Sequence, residues 1–325
     1  MRAVDGKSLR TSGLPLPLLL LLTGLAGCGE SVTFPTAQPG VGAIAGAVLV
    51  GAGDIALCGS AATEATARLL DRLPGVVFTV GDNAYPSGRA NDFRDCYDPT
   101  WGRHKARTRP SPGNHEYESP GALPYFDYFG ANAGPSGLGY YRYRVGEWQI
   151  YSLNSNVPMD AGSSQLQWLR GELAANPSTC ALAYWHHPLF SSGPHGDNAA
   201  TRPLWRALYD ADADVVISGH DHLYERFSLQ DPDGRPDPAR GIRAFIVGTG
   251  GAELNSPASV HRNSDVRWSV NGVLELVLGV NSYTWRFLSE TGAVADVGGG
   301  FCHEPGPPTG SADPNGRVVG NFMAP

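Results

Sequence analysis

The chain has 325 residues, 42% hydrophobic and 17% charged, a balance that suits one large or two modest globular domains. Its 31 acidic against 24 basic side chains give a net charge of −7, which argues against nucleic acid as a partner. Gly 42 and Pro 26 together make about a fifth of the residues, so long ordered loops are expected.

In chain order, Arg2, Lys7 and Arg10 precede an apolar run from Leu14 to Ala26 that is too short to span a bilayer and reads as a signal peptide. Its end, Leu25-Ala26-Gly27-Cys28, resembles the lipobox of bacterial lipoproteins. The resemblance implies loss of residues 1–27, acylation of Cys28, and an exported protein anchored at the cell envelope on its periplasmic or extracellular face. An ordinary cleavage site beside a chance cysteine is the alternative. Two acyl chains suffice for stable anchoring where one is marginal. Cleavage would leave 21 basic against 30 acidic side chains, a charge of −9. An anionic substrate then has to be held by local charge, which bound metal can supply. Residues 28–46, rich in Gly, Ala and Pro, read as a tether, residues 47–303 as the folded domain and residues 304–325 as a C-terminal tail. Cys58, Cys96, Cys180 and Cys302 form an even set in an exported chain, which favours two disulfides among three connectivities. Their positions beside candidate strands favour Cys58 with Cys96 and Cys180 with Cys302.

Val48 to Val50 opens a first strand that ends at Gly53-Asp54, and a helix is expected over 61–73 with Ala65, Leu69, Leu70 and Leu73 as its apolar stripe. The run Val76 to Val80, bounded by Gly75 and Gly81, reads as a buried strand that delivers Asp82. Strand, helix, strand at this spacing suggests a parallel crossover. Residues 86–112 read as a long loop with a short helix. Further strands are expected over 148–153, 181–185, 215–217, 244–247, 273–278 and 283–288. Ser164 with Gln167 gives a capping-box signature for a helix whose buried face is Leu166, Leu169 and Leu173, and another helix is expected near 204–208.

Five strand ends or loops then present metal-compatible side chains: Asp54; Asp82 with Tyr85; Asn114 with His115; His186; and His220 with His222. An aspartate closing a strand is more often a cap or turn residue, and one such position carries little weight. Recurrence at five Gly- or Pro-bounded turns is hard to assign to capping. In an extended segment His220 and His222 share a face and Asp221 points away, so adjacent metals could each take one ring.

The run Gly219-His220-Asp221-His222-Leu223-Tyr224-Glu225-Arg226, with Gly81-Asp82-x-x-Tyr85 and Gly113-Asn114-His115-Glu116, resembles the purple acid phosphatase branch of the calcineurin-like metallophosphoesterases over about residues 48–290. The resemblance implies an α/β fold, a four-layer α/β/β/α sandwich of two mixed sheets flanked by helices. It implies Asp54, Tyr85 and His222 on a first metal, Asn114, His186 and His220 on a second, and Asp82 bridging them. It also selects His186 over His187, which is expected to pack beside the site. Many members of the wider superfamily have a histidine where this chain has Ala56, and Tyr85 can supply the missing donor. A phenolate is a hard anionic ligand, so ferric iron is expected at the first site and divalent zinc, iron or manganese at the second.

Two such ions clamp an in-line phosphoryl displacement and acidify water, so direct hydrolysis of a small phosphomonoester by hydroxide is expected, without a phosphoenzyme. His115 and His195 are the candidates to hold substrate oxygens and protonate the leaving group. Gly248 to Gly251 reads as a tight turn, since no P-loop lysine follows it, and Glu225 and Arg226 as braces of the His222 loop. A phosphodiesterase or nucleotide hydrolase would use the same metals, and a lipid-anchored phosphate-binding or structural protein would need no paired metals.

Overall fold

A computed structural model of the chain describes residues 46–303. The proposed leader, Cys28, the tether up to Ala45 and the tail from residue 304 lie outside the described residues. Among the described residues, no helix is long and apolar enough to cross a membrane.

Two sheets carry the fold. The first runs β13-β12-β11-β1-β2-β3, from β1 (Ala47–Ala52), β2 (Val76–Val80), β3 (Thr108–Ser111), β11 (Gly272–Leu278), β12 (Ser282–Ser289) and β13 (Val294–Phe301). The second runs β10-β8-β9-β7-β6-β5-β4, from β4 (Tyr141–Val145), β5 (Trp148–Ser152), β6 (Ala181–Tyr184), β7 (Val215–Ser218), β8 (Tyr224–Phe227), β9 (Arg243–Val247) and β10 (Ser264–Trp268). Both are mixed: β1, β2 and β3 are parallel, as are β5, β6, β7 and β9, and antiparallel strands complete each sheet. With helices on the flanks this is the expected α/β/β/α sandwich of two mixed sheets.

The alternation of side chains along the strands fixes which face each residue serves. Leu182 and Tyr184, Val215 and Ile217, and Phe245 and Val247 enter the core shared with Leu49, Phe78 and Leu276 of the first sheet. Their neighbours Ala183, Val216 and Ile246 face a second core, closed by helices α2 (Ser164–Ala175) and α3 (Arg202–Asp210) through Leu166, Leu169, Leu204 and Leu208. Each fully buried large side chain contributes about 1.5–3 kcal/mol. Polar ties fix the sheets across the layers: Tyr184 donates to the Arg109 carbonyl (2.7 Å), Trp148 to the Gly279 carbonyl (2.8 Å) and Tyr224 to Asp296 (2.7 Å). Both expected disulfides are present, Cys58–Cys96 and Cys180–Cys302.

Several local expectations are corrected. Helix α1 covers Ala61–Leu70, not 61–73. The Arg107 guanidinium takes the Leu70 carbonyl at 2.6 Å and those of Leu73 and Gly75 at 2.9 Å, so the chain leaves the helix early. Its buried face includes Thr63, Thr66 and Ala67, while Ala65 and Leu73 are only half-buried. Helix α2 is capped by Ser163, whose side chain accepts from Leu166 N, because the turn at Asp160 places that hydroxyl over the open end. Strands β3, β4, β8, β10 and β13 were not among the expected elements.

Candidate metal centre

The candidate site lies at the carboxyl ends of the parallel strands, where α/β sheets place ligands. Asp54 follows β1, Asp82 follows β2, Asn114 follows β3, His186 follows β6, and His220 and His222 follow β7. Three of these residues have left-handed backbone, Asp54 (φ 57°), Asp82 (φ 47°) and His220 (φ 69°). Such conformations are uncommon outside glycine and cluster where a site over-determines the backbone. Gly113 leaves room for Asp82: a Cβ there would lie 2.1 Å from its Oδ1 and 2.3 Å from its backbone nitrogen.

Two clusters meet at one carboxylate oxygen. The Tyr85 hydroxyl lies 3.1 Å from Asp54 Oδ1, 3.1 Å from His222 Nε2 and 3.2 Å from Asp82 Oδ2. On the other side His186 Nε2 lies 3.2 Å from the same Asp82 oxygen, 3.0 Å from Asn114 Oδ1 and 3.2 Å from His220 Nδ1. The second carboxylate oxygens hold the scaffold, Asp82 Oδ1 accepting from His115 N (2.9 Å) and Asp54 Oδ2 from His220 N (3.0 Å). All seven residues that the sequence nominated as ligands are therefore brought together.

The donor set fits cations on chemical grounds. His186 Nδ1 donates to the Val80 carbonyl (2.8 Å) and His222 Nδ1 to the Glu253 carbonyl (2.6 Å), so the Nε2 atoms of both rings are turned to the cleft. Two oxygen acceptors and the His220 ring nitrogen crowd His186 Nε2, and even a protonated ring, with one hydrogen there, could satisfy only one of the oxygens. Buried acceptors left facing one another are costly, and a cation between them removes the cost. The groups Asp54, Asp82, His186 and His186, His187, His220 each bring potential ligand atoms within 4.8 Å of one another. A third such group, Cys180, Asp214 and Cys302, has its two sulfurs joined as a disulfide. Oxygen and nitrogen donors without thiolate suit first-row divalent or trivalent ions.

Protein charges alone polarise the cluster strongly. Burial resists protonation of His186, but Asp82 outweighs it and holds that ring up at about 9. Burial likewise opposes Asp54 at His222, and the carboxylate prevails, again at about 9. Burial, then the neighbouring His186, presses His220 down to about 2. The Tyr85 phenol is raised far above its ordinary value by burial and then by Asp54 and Asp82, a field whose sign a bound cation reverses.

His115 and His195 both reach the site. The His115 ring sits 4.5 Å from that of Tyr85, with Nε2 3.7 Å from Asp82 Oδ2 and Nδ1 2.5 Å from the Pro86 carbonyl. The His195 ring lies 4.4 Å from that of His220. His187 packs beside the site as expected, 4.9 Å from the His186 ring.

Three supporting groups were not assigned from sequence. Buried Glu116 accepts from Asn83 N (2.8 Å), Ala84 N (3.2 Å) and Gly113 N (2.7 Å), tying the Asp82 loop to the Asn114 loop. Asp221 points away from the cleft, as expected, and its carboxylate accepts from Ser191 Oγ and from His195 N (2.9 Å), so it holds the loop that carries His195. Asn156 Nδ2 donates to the Pro112 carbonyl (3.1 Å). The sequence signals were a glutamate directly after Asn-His and a polar Asn-Ser-Asn run at a strand end. Two expectations change. Residues 219–223 form tight turns, with Asp221 N on the Gly219 carbonyl and Leu223 N on that of Asp221, so a positive φ rather than strand pleating separates the two rings. Glu225 bonds Ser192 (N 2.9 Å, Oγ 2.5 Å) and Ser264, and Arg226 bonds Asp296 and Asp265, so neither braces the His222 loop. The Gly248–Gly251 turn packs on the first strand end, with Gly250 N on the Gly53 carbonyl.

Residues 49–224, just over half of the chain, match the family model described as calcineurin-like phosphoesterase. The chain belongs to that family. Its relatives include Purple acid phosphatase 15 of Arabidopsis thaliana, 26% identical over 257 residues that cover 68% of this chain and 46% of the relative. The chain thus spans about half the length of the curated relatives it matches. Among solved structures it is similar to a purple acid phosphatase from yellow lupin (Lupinus luteus) seeds, with a TM-score of 0.67, 17% identity, and coverage of 78% of this chain and 53% of the other. It is also similar to GAP50, described as the anchor in the inner membrane complex of Plasmodium, with a TM-score of 0.63, 14% identity, and coverage of 80% and 90%. At these identities the structural likenesses establish the fold. Family and ligand clusters together are consistent with a metal-dependent phosphoesterase.

Proposed function

We propose that this calcineurin-like phosphoesterase is a dinuclear-metal hydrolase of small phosphomonoesters, similar to an acid phosphatase. The observation that carries the reading is the junction at Asp82 Oδ2, 3.2 Å from both the Tyr85 hydroxyl and His186 Nε2, with a set of converging acceptors on each side. In this reading Asp54, Tyr85 and His222 hold the first cation, Asn114, His186 and His220 the second, and Asp82 touches both. The Tyr85 oxygen suits ferric iron, and the second position takes zinc, iron or manganese. When bound, such a pair supplies Lewis acidity, which acidifies water and neutralises phosphoryl charge.

The chain's own residues orient the ester and move the proton. His115 Nδ1 is committed to the Pro86 carbonyl, so Nε2, near Asp82, is the atom that carries a proton to the leaving group. His195, fixed through its backbone by Asp221, holds a substrate oxygen beside the His220 ring. Cleavage is direct, without a covalent phosphoresidue. Export with acylation at Cys28 belongs to the same reading, and two disulfides in a chain of this size favour an oxidising compartment.

The test is hydrolysis of a chromogenic phosphomonoester and a diester across pH, with metal content and visible spectrum recorded on the same protein. Monoester turnover with a visible band that Tyr85→Phe abolishes is expected. A metal-loaded protein that cleaves neither ester, or a Tyr85→Phe variant that keeps its colour, contradicts the reading. Diester preference would move the activity to the phosphodiesterase alternative.

A further inference from the structure

The second histidine of the His186-His187-Pro188 run has a proton position fixed by its surroundings. Ser155 Oγ accepts the His187 backbone N–H at 3.0 Å and lies 2.8 Å from His187 Nδ1. Were Nδ1 the proton carrier, both contacts would end on the serine oxygen. The hydroxyl hydrogen of a residue only 7% exposed would then have no partner among the described hydrogen bonds. The buried Ser155 hydroxyl, the His187 backbone N–H and Nδ1 are all satisfied when Ser155 donates to Nδ1, which places the ring hydrogen on Nε2. The backbone that carries the ring is tied by the Trp185 indole, which donates to the His187 carbonyl at 2.8 Å.

No hydrogen bond is described for Nε2, and the half-buried ring lies against the cluster. Its centroid is 4.4 Å from His220 and 4.9 Å from His186, and one nitrogen from each of the three rings falls within a common 4.8 Å. A nitrogen that keeps its hydrogen cannot ligate a cation. Beside a set of acceptors it is a donor with no hydrogen-bond acceptor among the described residues, and phosphoryl oxygens offer only lone pairs.

We infer that His187, oriented by Ser155, binds the substrate through Nε2–H to a phosphoryl oxygen on the Asn114, His186 and His220 side of the site. The inference rests on the proposed phosphoesterase reading and gives it a substrate-binding residue for the phosphoryl group. Hydrogen bonds to charged groups contribute about 1.5–3 kcal/mol, so losing this one corresponds to roughly a 10- to 100-fold weakening.

The experiment compares wild type, His187→Ala, His187→Gln and Ser155→Ala in three readouts: metal content, calorimetric affinity of the metal-loaded protein for inorganic phosphate, and KM against kcat for a chromogenic monoester. His187→Ala should keep its metal, lose at least tenfold in phosphate affinity and raise KM by a similar factor, with kcat changed far less. His187→Gln, whose amide can donate, should recover part of the loss, and Ser155→Ala should fall between. In wild-type protein the ¹⁵N pattern that disappears in His187→Gln should be that of an Nε2–H tautomer. Metal loss in His187→Ala, an unchanged phosphate affinity, or an Nδ1–H tautomer overturns the inference. A wild-type protein that binds metal and phosphate yet hydrolyses nothing defeats the hydrolase reading, while the phosphate comparison still decides the role of His187.

Discussion

Glu116→Gln isolates what the buried brace contributes. The carboxylate accepts three backbone N–H groups with two oxygens, Asn83 and Ala84 on Oε1 and Gly113 on Oε2. It does so although burial, and then the Asp82 charge, push it up to about 7. An amide has one acceptor oxygen. If that oxygen serves Asn83 and Ala84, the NH2 group faces the Gly113 N–H at 2.7 Å, donor against donor, and a buried N–H loses its partner. Leaving a buried donor unsatisfied costs about 1–3 kcal/mol, so a loss of that size is expected. The loss should appear as a lower urea midpoint with an unchanged slope. Because Gly113 adjoins Asn114, and Asn83 adjoins Asp82, metal content should fall as well, with the Asn114 side affected most. A variant within about 0.5 kcal/mol of wild type that retains all its metal would refute the brace argument.

Other perturbations separate chemistry from scaffold. His115→Ala should lower kcat by about 10²–10⁴-fold while metal content stays, and equal losses in both would make the residue structural. Removing Cys180–Cys302 or Cys58–Cys96 by serine substitution closes no loop of 122 or 38 residues in the unfolded chain and should cost about 5 and about 4 kcal/mol respectively in denaturant unfolding. At the end of β13, His303 lies 3.1 Å from Asp214, which raises the ring above its ordinary value, while burial holds Asp214 up despite the ring's approach. A ring raised on folding contributes stability that is complete below its unfolded value and fades as pH rises through its folded one. His303→Ala should therefore lose stability at pH 6 and little at pH 9, and a pH-independent loss would assign the effect to packing.

Much of the site was legible because its residues follow strands directly. Asp54, Asp82, His186 and His220 each end an apolar run, and a chain that leaves the sheet at a glycine or proline turn carries the next polar side chain into the cleft. The supporting carboxylates were harder to read. Glu116 and Asp221 act on backbone N–H groups from other segments, and only the folded chain brings those groups near. Strand β3 was hidden by Pro110, which an edge strand tolerates because it need not donate on its open side. Strand β13 was hidden by Gly298, Gly299 and Gly300, residues poor in strand propensity. There the absent side chains make space for aromatic rings: a Cβ on Gly298 would lie 2.2 Å from Trp285 and one on Gly300 2.7 Å from Tyr283. The charged alternation Tyr141-Arg142-Tyr143-Arg144 of β4 concealed a strand with one face on the core and one toward solvent.

The central claim is that two cations share the Asp82 carboxylate. Anomalous diffraction from metal-loaded crystals, collected at the absorption edges of iron and zinc, tests it most directly. The account predicts two peaks that flank Asp82, one among Asp54, Tyr85 and His222 and the other among Asn114, His186 and His220. A single peak, or peaks that leave Asp82 without a metal neighbour, would contradict it.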